Sequence, residues 1–145
     1  MNLESLKNIY FVGAGGIGMA ALERYFLARG LRVAGYDRTP SELTEALEAE
    51  GVTMTFTDTP DTIPAEFRDP ADTLVVYTPA VPASLPIMQW FRDNGFQIVK
   101  RAEVLGLVTR NTRGLCFAGT HGKTTTSSMA AHLLNSGAIG CNAFI

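Results

Sequence analysis

Short apolar runs alternate with longer segments of helical periodicity along most of this 145-residue chain. The runs expected to form strands are Ile9–Val12, Leu31–Tyr36, Val52–Phe56, Thr73–Tyr77 and Phe96–Val99. Strands that alternate with helices form a parallel sheet, because each helix carries the chain back to the edge where the next strand begins. The sequence therefore predicts an α/β fold, a parallel sheet with helices on both of its faces.

The segments between these runs predict the covering helices. Glycines that suit a helix end follow several of them. The predicted helices are Gly16–Arg29, one that starts near Ser41, Ser84–Asn94 and Ala102–Arg110. Thr39-Pro40-Ser41-Glu42 is interpreted as a capping box with proline at the first helical position. Thr57–Asp72 is rich in Asp, Thr and Pro and predicts a loop.

A polar stretch at Thr109–Arg113 separates this pattern from a second, shorter one. Beyond it, Gly114–Ala118 predicts a strand and Lys123–Asn135 a helix. One strand and one helix bury too little apolar surface to form a core by themselves. We therefore predict a first domain at residues 1–110 and the truncated start of a second domain at residues 111–145.

Composition excludes several classes of protein. The net charge of −2 argues against a broad nucleic-acid-binding surface. No apolar stretch approaches the ~20 residues that cross a bilayer, and the N-terminus lacks the layout of a signal peptide. Cys116 and Cys141 are too few for a disulfide framework. We expect a cytoplasmic protein with reduced thiols and no nucleic-acid or membrane partner, as a monomer or a homodimer.

The first glycine-rich loop follows the first predicted strand and opens the first predicted helix. Gly13, Ala14, Gly15, Gly16, Ile17 and Gly18 match the pattern G-x-G-x-x-G. Glycines allow the backbone to approach a diphosphate, whose charge the helix N–H groups then bind. Asp37 ends the second predicted strand, where it can accept hydrogen bonds from a ribose or a base. The loop indicates a site for NAD, FAD or a UDP-sugar. The alternative for the loop is a glycine turn kept only for packing of strand and helix, and the alternative for Asp37 is an aspartate at a turn or at the start of a helix.

The second glycine-containing loop lies between the predicted strand at 114–118 and the last predicted helix. Its residues are Gly119, Thr120, His121, Gly122, Lys123, Thr124 and Thr125. They resemble a P-loop, in which amides cradle phosphates, Lys reaches the β/γ oxygens and a hydroxyl binds Mg²⁺. Phe117 stands where the general pattern has glycine. His121 is either a phosphate or substrate contact or a loop residue that faces solvent.

The two loops together, the second spelled G-T-H-G-K-T-T-T, resemble the Mur ligases of peptidoglycan synthesis. Phe11–Met19 and Arg101-Ala102-Glu103 are similar to the family branch that acts directly on UDP-N-acetylmuramate. Val76–Val81 looks like the loop that contacts the sugar nucleotide, which adds Thr78 and Ala80 to the substrate site. Thr78-Pro79 replaces the usual serine pair there, and Thr57-Asp58 replaces a frequent Gly-His.

The resemblance implies a Rossmann-like first domain that binds the UDP end of the substrate, followed by the first strand-loop-helix of a P-loop ATP-binding domain. It implies an ATP-dependent ligase that joins L-alanine to the carboxylate of UDP-N-acetylmuramate through an acyl phosphate. Lys123 would then be catalytic and Thr124 the Mg²⁺ ligand. The family's remaining catalytic residues would lie beyond Ile145, so we expect this fragment to be inactive alone.

Three alternatives stay open at this point. A murein peptide ligase belongs to the same family and acts on the same UDP-sugar. An NAD(P)-binding Rossmann protein explains the first loop and Asp37 but leaves residues 119–126 unexplained. A stand-alone UDP-sugar-binding protein requires the second loop to be vestigial.

Overall fold

A computed structural model describes residues 6–110 and 112–145, so Asn111, the first residue of the predicted second domain, lies outside the described residues. The strands are β1 (Asn8–Val12), β2 (Arg32–Tyr36), β3 (Thr53–Thr55), β4 (Thr73–Tyr77) and β5 (Gln97–Lys100). They form one sheet in the order β3-β2-β1-β4-β5, and every neighbouring pair is parallel. The predicted α/β fold with a parallel sheet is confirmed.

Five α-helices are found among the described residues, close to the predicted positions. They are α1 (Ile17–Ala28), α2 (Glu42–Glu50), α3 (Pro86–Asp93), α4 (Arg101–Arg110) and α5 (Lys123–Ser136). The predicted loop at Thr57–Asp72 contains two short 3₁₀ turns, Pro60–Thr62 and Ala65–Phe67. α4 follows β5 directly, so that the last residue of the strand precedes the first residue of the helix.

Side chains of β1 alternate between the two faces of the sheet, as the period of a strand requires. Ile9 and Phe11 join the apolar cluster beneath α1, α2 and α4, whereas Tyr10 and Val12 join the cluster that contains α3. All five residues of β1 are buried. This central strand is therefore enclosed on both faces, which is why its sequence is apolar throughout.

The capping motif at the start of α2 lies two positions later than predicted. Ser41 is the N-cap, and its hydroxyl accepts a hydrogen bond from the amide of Thr44. The hydroxyl oxygen of Thr44 in turn accepts a hydrogen bond of 2.8 Å from the amide of Ser41. Pro40 thus precedes the N-cap instead of occupying the first helical position. The box is closed by threonine, a residue type that the usual Ser-x-x-Glu pattern does not include.

The sheet order creates a crevice beside β1. The chain leaves β1 towards β2 on one side, and after β3 it crosses to β4 on the other side. In open parallel sheets, ligands bind at the carboxyl ends of the strands where the order reverses in this way. Gly13 follows β1 and Thr78 follows β4, so both residues lie at this position.

The predicted strand at Gly114–Ala118 is wrong. The segment has no regular secondary structure, and Leu115 and Phe117 are 67% and 39% exposed. A strand needs a neighbouring backbone to receive its hydrogen bonds, and no strand of the described residues pairs with this segment. The helix that follows, α5, forms nevertheless, because its hydrogen bonds lie within its own chain segment.

Candidate functional site

Gly13 occupies the tightest position of the first glycine-rich loop. Its φ is +89°, and a Cβ placed on it would lie 2.5 Å from Cγ2 of Thr78. The amides of Gly13 and Ala14 both donate to the carbonyl of Tyr36, at 2.8 and 3.0 Å. Left-handed backbone and the close approach of β4's following loop both require glycine at this residue.

Asp37 holds the middle of the same loop. Its Oδ2 accepts a hydrogen bond of 2.7 Å from the amide of Gly15, and its Oδ1 accepts one of 3.2 Å from the amide of Thr39. A Cβ on Gly15 would lie 2.8 Å from Oδ2, so the contact depends on glycine. Each carboxylate oxygen retains a lone pair for a further donor. Asp37 therefore orients the loop and can still accept a hydrogen bond from a hydroxyl group of a ligand.

The N-terminus of α1 presents unused backbone donors at the crevice. The amides of Met19 and Ala20 donate to the carbonyl of Gly16, whereas those of Ile17 and Gly18 have no acceptor among the described residues. The side chain of Ile17 is 79% exposed beside them. Free amides and the positive end of a helix dipole together make an anion-binding position.

Thr78 and Ala80 lie in different surroundings. Thr78 is half-buried against Gly13; its amide donates to Val12 and its carbonyl accepts from Val81. Ala80 is exposed in the turn that follows. The structure thus brings Thr78 into the cluster of Gly13, Gly15 and Asp37, whereas Ala80 lies at its rim. The sugar contacts of both residues stay predictions.

Glu23 is a buried carboxyl group close to this loop that sequence reasoning did not single out. It lies on α1 with no exposed surface, and neither of its carboxyl oxygens has a hydrogen-bond partner among the described residues. The pKa of Glu23 is raised to about 8, mainly by burial; the positive charge of Arg24 lowers it, and the negative charges of Asp37 and Glu50 add to the rise. A carboxyl residue within the apolar stripe of a predicted helix was the signal in the sequence.

Arg101, like Glu23, was not predicted from the sequence motifs to belong to the site. It is the first residue of α4, at the carboxyl end of β5, and it is half-buried. A Cβ on Gly18 would lie 2.6 Å from its Nη1 atom. The side chain therefore reaches from β5 to the N-terminus of α1. A cation directly after a strand of a parallel sheet could have indicated this position.

The second loop has the local geometry of a phosphate cradle. Gly122, with φ of +76°, is the N-cap of α5, and the amide of Thr126 makes the first helical hydrogen bond to its carbonyl. The amides of Lys123, Thr124 and Thr125 have no backbone acceptor among the described residues. Nζ of Lys123 donates to the carbonyl of Gly119 at 2.7 Å, so the ammonium group lies over the loop.

These features fit the phosphates of ATP, because free amides, a helix N-terminus and a cation converge there. The hydroxyl of Thr124 is an oxygen ligand of the type that Mg²⁺ prefers. Thr120 and His121 are exposed like the rest of the loop. No hydrogen bond among the described residues connects this loop to the first one.

Among residues 6–110 and 112–145, no group of three or more His, Cys, Asp or Glu residues is placed to hold a metal ion. Among the helices of the same ranges, none combines the length and the apolar character that crossing a membrane requires.

Comparison with known proteins identifies the family of the chain. A model described as the Mur ligase family, catalytic domain, matches residues 8–113. The chain belongs to the Mur ligase family. Over all 145 residues it is 59% identical to the UDP-N-acetylmuramate–L-alanine ligase of Phocaeicola vulgatus, and it spans 32% of that protein's length. It thus covers about a third of the curated relative.

Solved Mur ligase structures share the fold. The UDP-N-acetylmuramate–alanine ligase of Thermotoga maritima matches 88% of this chain over 29% of its own, with 32% identity and a TM-score of 0.76. A UDP-N-acetylmuramate:L-alanyl-γ-D-glutamyl-meso-diaminopimelate ligase from Neisseria meningitides matches 90% of this chain over 40% of its own, with 26% identity and a TM-score of 0.78. This Mur ligase chain therefore shares the fold of the matching part of both enzymes.

Proposed function

We propose that this chain supplies the UDP-sugar site and the ATP loop of a ligase that joins L-alanine to the carboxylate of UDP-N-acetylmuramate in peptidoglycan precursor synthesis. The observation that carries the proposal is the presence of two helix N-termini with free amides in one Mur ligase chain, at α1 and α5. A dinucleotide-binding oxidoreductase would account for the helix N-terminus at α1 but not for the one at α5.

Residues 1–110 form the UDP-sugar-binding domain in this proposal. The diphosphate lies against the amides of Ile17 and Gly18, in the loop that Gly13, Gly15 and Gly16 allow. Asp37 accepts a hydrogen bond from a ribose hydroxyl, through the lone pairs that its two bonds to backbone amides leave free. Thr78 and Ala80 lie nearer to the sugar.

Residues 111–145 begin the ATP-binding domain in this proposal. Residues 119–125 hold the phosphates, and Lys123 neutralises their negative charge, so that the muramate carboxylate can attack the γ-phosphate and form an acyl phosphate and ADP. The amine of L-alanine then displaces phosphate and leaves an amide. Mg²⁺ on Thr124 supplies additional positive charge at the phosphates when it is bound.

Sequence identity favours an alanine ligase over a murein peptide ligase. The fold does not separate the two, since solved structures of both resemble this chain to a similar degree. Identity is 59% and 58% to two curated alanine ligases over the whole chain, against 26% and 28% to two solved murein peptide ligases over 90% and 89% of it. We infer a cytoplasmic location, which the two free cysteines support, because thiols stay reduced in that compartment. We expect the fragment to bind ligands without completing the reaction.

Isothermal titration of the 145-residue chain with UDP-N-acetylmuramate, NADH and Mg-ATP in parallel tests the proposal. We expect the UDP-sugar and Mg-ATP to bind and NADH to give no heat. Binding of NADH without binding of the UDP-sugar would contradict the ligase assignment. Binding of the UDP-sugar to a Gly119→Ala and Lys123→Met double variant should be unchanged, since the two loops share no hydrogen bond among the described residues.

A further inference from the structure

The carboxyl end of β5 contributes a cation to the crevice at the N-terminus of α1. The neighbouring amides of Ile17 and Gly18 are the ones that lack acceptors. The closest part of the Arg101 side chain to the helix is the guanidinium end: from a Cβ on Gly18, Nη1 lies at 2.6 Å, Cζ at 3.1 Å and Cδ at 3.5 Å. The guanidinium therefore lies beside Gly18, next to the unused backbone donors at the N-terminus of α1.

No carboxylate neutralises this cation within the described ranges. The ion pairs of residues 6–110 and 112–145 are Lys7–Asp72 and Arg24–Glu50, and both lie elsewhere in the molecule. Arg101 also has no hydrogen-bond acceptor among the described residues. A half-buried guanidinium with neither an ion pair nor an acceptor retains its full capacity for an anionic ligand.

Gly18 makes this arrangement possible. Any side chain at residue 18 would overlap the guanidinium, so the last glycine of the motif provides space for Arg101 as well as for helix packing. A diphosphate carries more negative charge than two backbone amides neutralise. A planar guanidinium can bind two of its oxygens at once.

We propose that Arg101 is a further binding residue of the first site and contacts the diphosphate of the UDP-sugar. This inference rests on the proposed function, because it takes a nucleoside diphosphate as the ligand of the crevice. In this arrangement the amides of α1 contact one side of the diphosphate, and the guanidinium of Arg101 contacts the other. Asp37 is left to the ribose.

The test compares Arg101→Met with Arg101→Lys and with a matched control. Methionine keeps most of the aliphatic volume and removes the charge, and lysine keeps the charge without the planar fork. Arg32→Met removes the same charge from an exposed residue at the amino end of β2, whereas Arg101 follows the carboxyl end of β5. Affinities for UDP-N-acetylmuramate, UDP and uridine are measured by titration and ligand-observed NMR, and thermal unfolding checks the fold.

We expect Arg101→Met to weaken binding of UDP and of the UDP-sugar by ~10- to 100-fold, with a smaller loss for Arg101→Lys. Uridine binding and the Arg32→Met variant should show no comparable change. An equal loss for uridine, or UDP affinity unchanged by Arg101→Met, would overturn the assignment of Arg101 and leave the proposed function standing. If the unmodified chain binds neither UDP nor the UDP-sugar, the proposed function fails first and Arg101 with it.

Discussion

The loops at residues 13–18 and 119–125 have similar sequences but very different surroundings. Each contains glycines and opens a helix, and each helix starts with unused amides. The first loop is held by the carbonyl of Tyr36, the carboxylate of Asp37 and the side chain of Thr78. The second is exposed, and its tightest internal contact is the bond from Lys123 to Gly119.

The difference shows what a glycine-rich loop contributes by itself and what its neighbours add. Gly13 and Gly15 cannot carry a side chain because other parts of the sheet approach them closely. At Gly119, a Cβ would meet only the carbonyl of His121, at 3.4 Å. The motif alone is thus sufficient to start a helix, while the rigidity of the site comes from strands that are distant in sequence. Four predictions follow, ordered by the expected change in the free energy of unfolding.

Gly13→Ala should destabilise the protein by about 3 kcal/mol, because it combines a positive φ with a methyl group 2.5 Å from Thr78. The same change at Gly119 should cost less than about 0.5 kcal/mol. Urea unfolding followed by the fluorescence of Trp90, which packs against Phe91 and Phe96, measures both. Equal losses at the two glycines would refute the contrast between the loops.

Glu23→Gln should remove a pH dependence of stability. The pKa of Glu23 is about 8 in the folded protein and 4.5 as its ordinary value, so between these pH values the unfolded chain binds fewer protons and stability falls as pH rises. We expect the wild type to lose about 3 kcal/mol more than the variant between pH 5 and pH 8. Urea unfolding across this range measures the loss. The exposed Glu48→Gln control should follow the wild type; parallel pH profiles for Glu23→Gln and wild type would disprove the effect.

Asp37→Ala should cost about 1–2 kcal/mol, because the amides of Gly15 and Thr39 lose their acceptor. Asp37→Asn should recover part of this energy, since an amide oxygen can still accept one of the two bonds. Thermal unfolding compares both with Asp61→Ala, an exposed aspartate in the first 3₁₀ turn. A loss for Asp37→Asn as large as that for Asp37→Ala would mean that charge, and not the hydrogen bonds, holds the loop.

Lys123→Met should change the free energy of unfolding by less than about 0.5 kcal/mol, because the side chain is exposed and bonds only within its loop. Its effect should fall on Mg-ATP affinity, which we expect to drop by ~10-fold or more. Titration of Mg-ATP into this variant and into Lys100→Met, an exposed control at the end of β5, separates the two effects. Unchanged ATP affinity would remove Lys123 from the proposed site.

Much of the fold was predictable because its elements are local. Apolar runs predicted all five strands to within one residue at each end. The segment at 114–118 was mistaken for a strand because its apolar composition is the same as that of a true strand. Only a partner strand distinguishes the two, and the described residues offer it none.

The site was predictable to the extent that it is contiguous. The residues of the G-x-G-x-x-G motif and Asp37 were found from spacing, and the structure places Asp37 on the amide of Gly15. Arg101 and Glu23 were not assigned to the site. Arg101 reaches Gly18 only because β5 and α4 bring it there, and Glu23 matters only because packing removes its carboxyl group from water.

By itself the sequence determined the alternation of strands and helices, the glycines that permit left-handed turns, and the amides left free at two helix N-termini. These properties depend on dihedral preferences and on hydrogen bonds between residues close in the chain. The tertiary structure decided which of the two loops is rigid, which carboxyl group is protonated near neutral pH and which arginine lies beside Gly18. Those outcomes depend on distances and on exclusion of water between residues far apart in sequence, and both exist only once the sheet has formed.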